Sequence, residues 1–386
     1  MRVLSIVLNN FKNDSRVLKE CISLKKAGYE ISVCALHEGD LPEEEIIEGI
    51  PVRRIKLSTR KYSKSLPMQM VKYMELRSKI VKLYRNKVDI IHCNDILPLP
   101  IAVSLKRKSK RDVKIVYDAH EFQTETQKLQ GKQTRKTLIY LLEKNLIKKV
   151  DKVITVSDGI AEEYAKRYHI PKPALVLNCP YYDDPRKENR FREKFDIKED
   201  QKILLYQGAL TEGRGLKKLM EAFRRLNRTD LALVFMGYGA LQKDIELAAN
   251  ETKNIYFHPA VAPNEILSYT VSADVGICLI ENSCLNYYYC LPNKLFEYAM
   301  AGLPVVASNL PEIKRIVETY QCGVISESLT VEGFSQTIQR LLDTDMVAYS
   351  VNAKKMAKTY NWETQEKVLL DVYRDLESNQ SEVAVQ

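Results

Sequence analysis

The sequence predicts an α/β protein made of two Rossmann-like parallel-sheet domains facing a central cleft, and three observations carry that expectation. Short apolar runs alternate with amphipathic stretches almost from end to end, the pattern of strand-helix repeats. At 386 residues the chain exceeds one ordinary core and fits two domains of roughly 150 to 200 residues each. The composition also breaks once: residues 178–200, with Pro180, Pro185 and the mixed-charge run DDPRKENRFREKFDIKED, read as an exposed crossing between the halves.

In chain order, strands are expected near 2–8, 30–36, 52–57, 88–92, 113–117, 152–155 and 174–177. A second series follows near 202–206, 231–236, 254–257, 274–279, 304–307 and 322–325. The expected boundaries are 1–185 for the first domain and 186–360 for the second. Trp362 heads a terminal helix over 361–377 that is expected to return to the first domain, and 378–386 read as a disordered tail.

With 45% apolar and 28% charged residues, the composition is globular and excludes collagen-like, mucin-like and wholly disordered classes. No run approaches the roughly 18 to 20 apolar residues that cross a bilayer, and the start reads as a buried strand, so the expected location is cytoplasmic. The eight cysteines form no CxxC pair and no metal-ligand spacing, which predicts neither a disulfide nor a structural zinc.

Charge is divided unevenly: residues 1–190 carry +14 and residues 191–386 carry −5. Between Arg53 and Lys87, twelve basic residues face one acid, Glu75, and are interleaved with Met70, Tyr73, Met74, Ile80, Val81 and Tyr84 at helical spacing. Two readings stand: a helix lying on an anionic membrane surface, or a solvated helix whose apolar side packs on the domain. Nucleic acid is not an expected partner, since no recognition motif accompanies the basic stripe.

Ligands of parallel sheets gather at the carboxyl ends of strands, so the strand-end loops are where chemistry is sought. The segment 203–219 is a strand, a loop with Gly208, Gly213, Arg214 and Gly215, and a helix bearing Lys218, a setting suited to a diphosphate. The next strand ends similarly, with Gly237 and Gly239 bracketing Tyr238. The stretch YCLPNKLFEYAMAGLPVVAS places Asn293 and Lys294 at a helix start, Glu297 one turn in, and Gly302-Leu303-Pro304 at its end.

This stretch resembles the C-terminal lobe of the retaining glycosyltransferases of family 4, which have the GT-B architecture, and the likeness extends over most of the chain. The LPNKLFEY form is similar to that of transferases of bacterial surface polysaccharides. The resemblance implies that Glu297 holds ribose hydroxyls of a nucleotide sugar and that Arg214 and Lys218 meet its diphosphate. Two positions depart from the family pattern. Tyr289 stands where a glutamate addresses the donor sugar, and Ala209 stands where an arginine meets the diphosphate. Lys294 is expected to supply the missing cation.

In the first half, KIVYDAHEF ends a strand with His120 and Glu121. A lone histidine in such a loop reads as structural, but the resemblance makes His120 the catalytic candidate beside the transferring sugar, with Glu121 orienting it or capping the next segment. VDIIHCND ends with His92, Asn94 and Asp95, where Asp95 either binds an acceptor hydroxyl or caps a helix. The first strand-end loop lacks the family's glycines, so acceptor or phosphate contact there falls to Asn13, Arg16 and helix amides, with Asp14 or Ser15 as cap. His37, His169 and His258 read as structural or surface residues, and Tyr287, Tyr288 and Tyr289 as cleft wall or core.

The implied activity is transfer of a sugar, with retention, from a UDP- or GDP-linked donor to a glycan or lipid-linked acceptor. No metal and no resident cofactor are expected, as no DxD-like acidic pair ends a strand. A non-catalytic nucleotide-sugar-binding partner and a nucleotide-sugar epimerase are the alternatives. Glycoside hydrolysis lacks its carboxylate pair.

Overall fold

In the computed structural model, which describes residues 1–63 and 65–383, the chain divides into two compact units. The first is Met1–Val176 together with the chain from Glu366; the second is Leu177–Gln365. The seam therefore falls ahead of residue 185. The reason is packing: Leu177 and Cys179 are buried in the second unit's core, and the Pro180 carbonyl accepts from the Trp362 amide at 2.7 Å.

The first unit is an eight-stranded sheet of β1 (Arg2–Ile6), β2 (Glu30–Leu36), β3 (Glu44–Ile47), β4 (Ile50–Ile55), β5 (Ile90–Asn94), β6 (Lys114–Ala119), β7 (Lys152–Thr155) and β8 (Ala174–Leu175), in the order β3-β4-β2-β1-β5-β6-β7-β8. All neighbours are parallel except β3 and β4. Helices cover both faces of a parallel sheet, so β1, β5 and β6 are buried nearly throughout.

Strand β3 is the element the sequence does not announce, because EEII lacks both alternation and aromatic residues. It forms a charged edge against β4, with Glu44 opposite Arg53. That pairing alters the reading of residues 53–87. Arg53 pairs with Glu44 at 2.6 Å, Arg54 with Glu45 at 2.7 Å, and Arg60 with Glu38 at 2.9 Å. Arg54 is buried. The acids that answer these cations lie upstream of the stretch, where counting along the chain misses them. The helix Leu66–Tyr84 then buries Leu76, Ile80 and Val81 while Met70, Val71 and Met74 face outward. Part of its apolar side thus packs on the domain, as the second of the two readings has it.

The second unit is a six-stranded parallel sheet of β9 (Lys202–Ala209), β10 (Leu231–Tyr238), β11 (Ile255–Pro259), β12 (Val275–Cys278), β13 (Val305–Ser308) and β14 (Gly323–Ser326), in the order β11-β10-β9-β12-β13-β14. The helix Asn293–Met300 is keyed onto this sheet by one ring. A Cβ at Gly276 in β12 would lie 2.4 Å from the Tyr298 ring, so only glycine leaves room for it. The Tyr298 hydroxyl donates to the Leu205 carbonyl at 3.0 Å and accepts from the Gln207 amide at 3.1 Å.

The last helix, Trp362–Val383, starts on the second unit with Trp362 fully buried. Farther along, Tyr373 packs edge-on against Tyr29 of the first unit at 5.3 Å between ring centroids. The helix runs to Val383, past the expected start of a disordered tail at 378; the last three residues of that expected tail, 384–386, lie outside the described residues.

Candidate functional site

In the first unit the polar residues collect where β1, β5 and β6 end. Asp118 and His120 are two residues apart at the end of β6, the spacing that puts alternate side chains on one face. Asp118 is fully buried and takes two bonds from Arg16, Nε to Oδ2 at 2.9 Å and Nη2 to Oδ1 at 2.7 Å. The third guanidinium nitrogen donates to the Val176 carbonyl at 2.8 Å. Arg16 is therefore spent on the interior and is not available to an acceptor, contrary to the expectation from its place in the first loop. Asp14, not Ser15, caps that helix, accepting from the Val17 amide at 3.2 Å, and Asn13 is exposed beside it.

His120 Nε2 lies 2.8 Å from Asp118 Oδ2. Burial would lower the imidazole, but the Asp118 carboxylate and then Asp95 outweigh it and push His120 up to about 9. Burial likewise opposes ionisation of Asp118, yet Arg16 and His120 hold it well below the usual carboxylate range. At neutral pH the ring is therefore held as an imidazolium between two carboxylates, with Nε2–H donating to Asp118 and Nδ1 lying 3.8 Å from Asp95 Oδ2.

Asp95 does not cap the following helix. It sits in the left-handed region (φ 69°), and its Oδ1 accepts from the His120 amide at 3.2 Å and from Gln123 Nε2 at 2.9 Å. It therefore shapes the loop that carries His120, while the following helix, Leu99–Lys108, begins after Pro98. Asn94 ties β5 to β1 by donating to Ser5 Oγ at 2.9 Å and the Ile6 carbonyl at 3.1 Å. Glu121 is exposed.

Behind Asp118 stands a second buried layer that sequence reasoning missed. Glu20 lies 3.2 Å from Arg16 and 3.4 Å from His92 Nε2, and His92 Nδ1 meets the Tyr373 hydroxyl at 2.9 Å. Burial, reinforced by Asp118, raises the Glu20 carboxyl to about 7. The only signal was Glu20 following Arg16 by one helical turn. Glu20, His92 and Asp118 could geometrically converge on one ion. Arg16 already occupies the electrostatic role of such an ion between the two carboxylates, so the cluster is a self-neutralised core.

In the second unit the expected donor residues gather at the ends of β9 and β10. Lys294 is buried, with Nζ 3.5 Å from the centroid of the Tyr206 ring, and Gly208 (φ 114°) lies directly over it. A Cβ on Gly208 would come within 3.6 Å of Nζ. Burial, then the like charge of Arg214, lowers Lys294 to about 7 against the opposing pull of Cys278 and Glu297. Lys294 thus stands within electrostatic reach of both Arg214 and Glu297. The Arg214 guanidinium lies 4.7 Å from the Tyr287 ring centroid, and its buried Nε has no hydrogen-bond partner among the described residues. Tyr287 is accordingly a platform for a cation as well as a wall.

Glu297 accepts a short hydrogen bond from Gln207 Nε2, and Gln207 Oε1 accepts from Thr270 Oγ1 at 2.8 Å. Gln207 and Thr270, both buried, were missed; the only hint was that Gln207 precedes the glycine turn. Lys218 is exposed and paired with Glu281 at 3.1 Å, while Asn293 is exposed at the first turn of its helix. The helices Leu216–Leu226 and Asn293–Met300 begin without a side-chain cap, so their first amides remain available to an anion. Tyr289 packs edge-on against Tyr288 at 4.8 Å. Gly237 has a structural reason of its own: a Cβ there would lie 1.9 Å from the Gly208 carbonyl oxygen, where β9 and β10 remain paired. Tyr238 beyond it is largely exposed.

None of the described helices is long and apolar enough to cross a membrane. Residues 16–181 match the family model described as Glycosyltransferase Family 4, and residues 187–360 match that described as Glycosyl transferases group 1. An uncharacterized glycosyltransferase of Methanocaldococcus jannaschii is 25% identical over 367 residues, 91% of each chain. Among solved structures, WaaG, a glycosyltransferase involved in lipopolysaccharide biosynthesis, superposes with a TM-score of 0.71 at 17% identity, covering 96% of this chain and 99% of that one. The Anabaena protein HepE in complex with UDP-glucose gives 0.73 at 15% identity, covering 98% and 100%. The fold of these structures is GT-B, two Rossmann-like domains, and with consecutive family models spanning nearly all of both units, this chain belongs to glycosyltransferase family 4.

Proposed function

We propose that this protein transfers a sugar, with retention of anomeric configuration, from a nucleotide-diphosphate donor held by the second unit to an acceptor addressed by the first. The observation that carries the reading is the convergence around Lys294: two cations, Arg214 and Lys294, one carboxylate, Glu297, and two uncapped helix N-termini in one strand-end region. The cations and amides suit a diphosphate, and Glu297, held by Gln207, suits the vicinal hydroxyls of a ribose. UDP-glucose in the similar Anabaena structure supports a donor of this class.

Chemistry at this site needs little proton transfer by the protein. Arg214 and Lys294 stabilise the departing diphosphate, whose oxygen takes the proton of the acceptor hydroxyl on the same face of the sugar. His120, braced by Asp118, is the catalytic residue we assign to the first unit. A resident metal has no part in this scheme, because the charge it would neutralise is met by Arg214 and Lys294. We place the enzyme in the cytoplasm, peripherally bound to the inner face of the plasma membrane, where it extends a lipid-linked glycan for a surface polysaccharide. The similarity to a lipopolysaccharide-pathway enzyme supports that setting.

Thermal-shift measurement with nucleoside diphosphates and their sugars is the first test: a ligand at one hundred times its Kd adds about 2.7 kcal/mol. Labelled donor with envelope extract then separates transferase from binder, and a chelator should leave turnover unchanged. Stabilisation without product would favour the binder, which Tyr289 and Ala209 also suit; interconversion of donors without acceptor would favour the epimerase. Inversion in the product would refute the mechanism.

A further inference from the structure

We infer that Gln207, itself held by Thr270, is a positioning residue for Glu297, and that by fixing the plane of that carboxylate it makes the site select ribonucleoside diphosphate donors over their 2′-deoxy counterparts. The inference rests on the reading of Glu297 as the ribose carboxylate and adds the device that sets its selectivity.

The face of β9 that shares a core with the helix Asn293–Met300 carries Ile203, Leu205 and then Gln207, following the two-residue period of a strand. All three are buried. Two aliphatic side chains call for a third, and a buried amide is costly unless both of its ends are bonded. Here both are: Nε2 donates to Glu297 Oε2, and Oε1 accepts from Thr270 Oγ1 at 2.8 Å. Adjacent residues of the helix meet Gln207 twice, because its backbone amide also donates to the Tyr298 hydroxyl at 3.1 Å. The backbone and the far end of Gln207 are thus tied to the same helical turn.

The order of dependence follows from the alternatives open to each group. The Thr270 hydroxyl lies 2.7 Å from the Ile266 carbonyl and would be satisfied there without Gln207. Gln207 Oε1 has no other donor among the described residues, so the single hydroxyl proton is what turns the amide. With Oε1 on Thr270, Nε2 faces Glu297; flipped, the amide would set an oxygen against the carboxylate. Glu297 gains what its own side chain lacks, since the last torsion of a glutamate is soft and leaves the carboxylate plane free. A plane set in advance grips two vicinal hydroxyls at once, whereas a ribose lacking one of them leaves an acceptor unanswered.

Calorimetric titration of the full chain with UDP against 2′-deoxy-UDP, and with GDP against 2′-deoxy-GDP, reads the selectivity directly. In the pair it accepts, wild type should bind the ribonucleotide at least about tenfold more tightly than its deoxy partner. Q207L should bring that ratio to within about twofold of unity by weakening the ribonucleotide alone. T270V, which removes the hydroxyl at nearly constant volume, should lower the ratio by a smaller factor, and T270S should restore it; this second pair carries the test if Q207L fails to fold. Equal losses for ribo and deoxy ligands would show a structural role only and overturn the inference, as would a wild-type ratio in folded Q207L or in T270V, or a T270S no better than T270V. A wild type that binds both members of a pair equally would remove the ribose role of Glu297 and the inference with it. A wild type that binds no nucleoside diphosphate would instead refute the donor site itself.

Discussion

Arg16 and Asp118, one in the first helix and the other at the end of the sixth strand, form a two-bond ion pair at 2.7 and 2.9 Å in which both side chains are buried. The pair joins the first strand-end loop to the strand that carries His120, so the loop lacking glycines is held by a side chain rather than by close backbone approach.

Breaking that pair from one side leaves a buried charge. Arg16→Met should lower unfolding free energy by about 3–5 kcal/mol. Denaturant titration checks this, and a loss below about 1 kcal/mol would show that the pair is not the brace described here.

His120 makes a pH-dependent contribution with a definite sign. Its folded value of about 9 lies above the ordinary 6.5, so the stabilisation is complete below about 6.5 and disappears as pH rises through 9. Melting temperatures of His120→Gln between pH 6 and 10 should fall less steeply than wild type. In turnover the same variant should be slower by roughly a hundredfold with donor affinity preserved.

Lys294 reports on the diphosphate. Held at about 7, it is largely neutral at pH 8.5 and must take up a proton when an anion binds. Nucleoside-diphosphate affinity should therefore fall by up to about tenfold per pH unit above 7. Lys294→Ala should bind weakly with a flat profile, and calorimetry across pH distinguishes the two.

Gly237 should tolerate no side chain. With its Cβ position 1.9 Å from the Gly208 carbonyl oxygen, Gly237→Ala must part β9 from β10, at a cost of about 3 kcal/mol or more. A melting curve superimposable on wild type would contradict the close crossing.

Much of the fold was legible because parallel strands under two helical layers are continuous apolar runs, and thirteen of the fourteen strands among the described residues overlap the runs read from the sequence. β3 was not legible: its stability comes from cross-strand ion pairs with β4, which are properties of pairing and not of EEII itself. The candidate site divides the same way. Lys294 and Glu297 were readable from a local pattern at a helix start. Glu20, Gln207, Thr270 and Tyr373 matter through partners 63 to 281 positions away, or through burial, and neither quantity has a local signature.

The hydrogen bond between Tyr373 and His92 has a further consequence for how the protein is made. The first unit begins at Met1 but is not finished until the chain from Glu366 has been synthesised, whereas the second is one uninterrupted segment. On the ribosome, the later-encoded half can therefore complete its core first, while the earlier one waits with an open seam over His92 and Tyr29 until the final helix arrives.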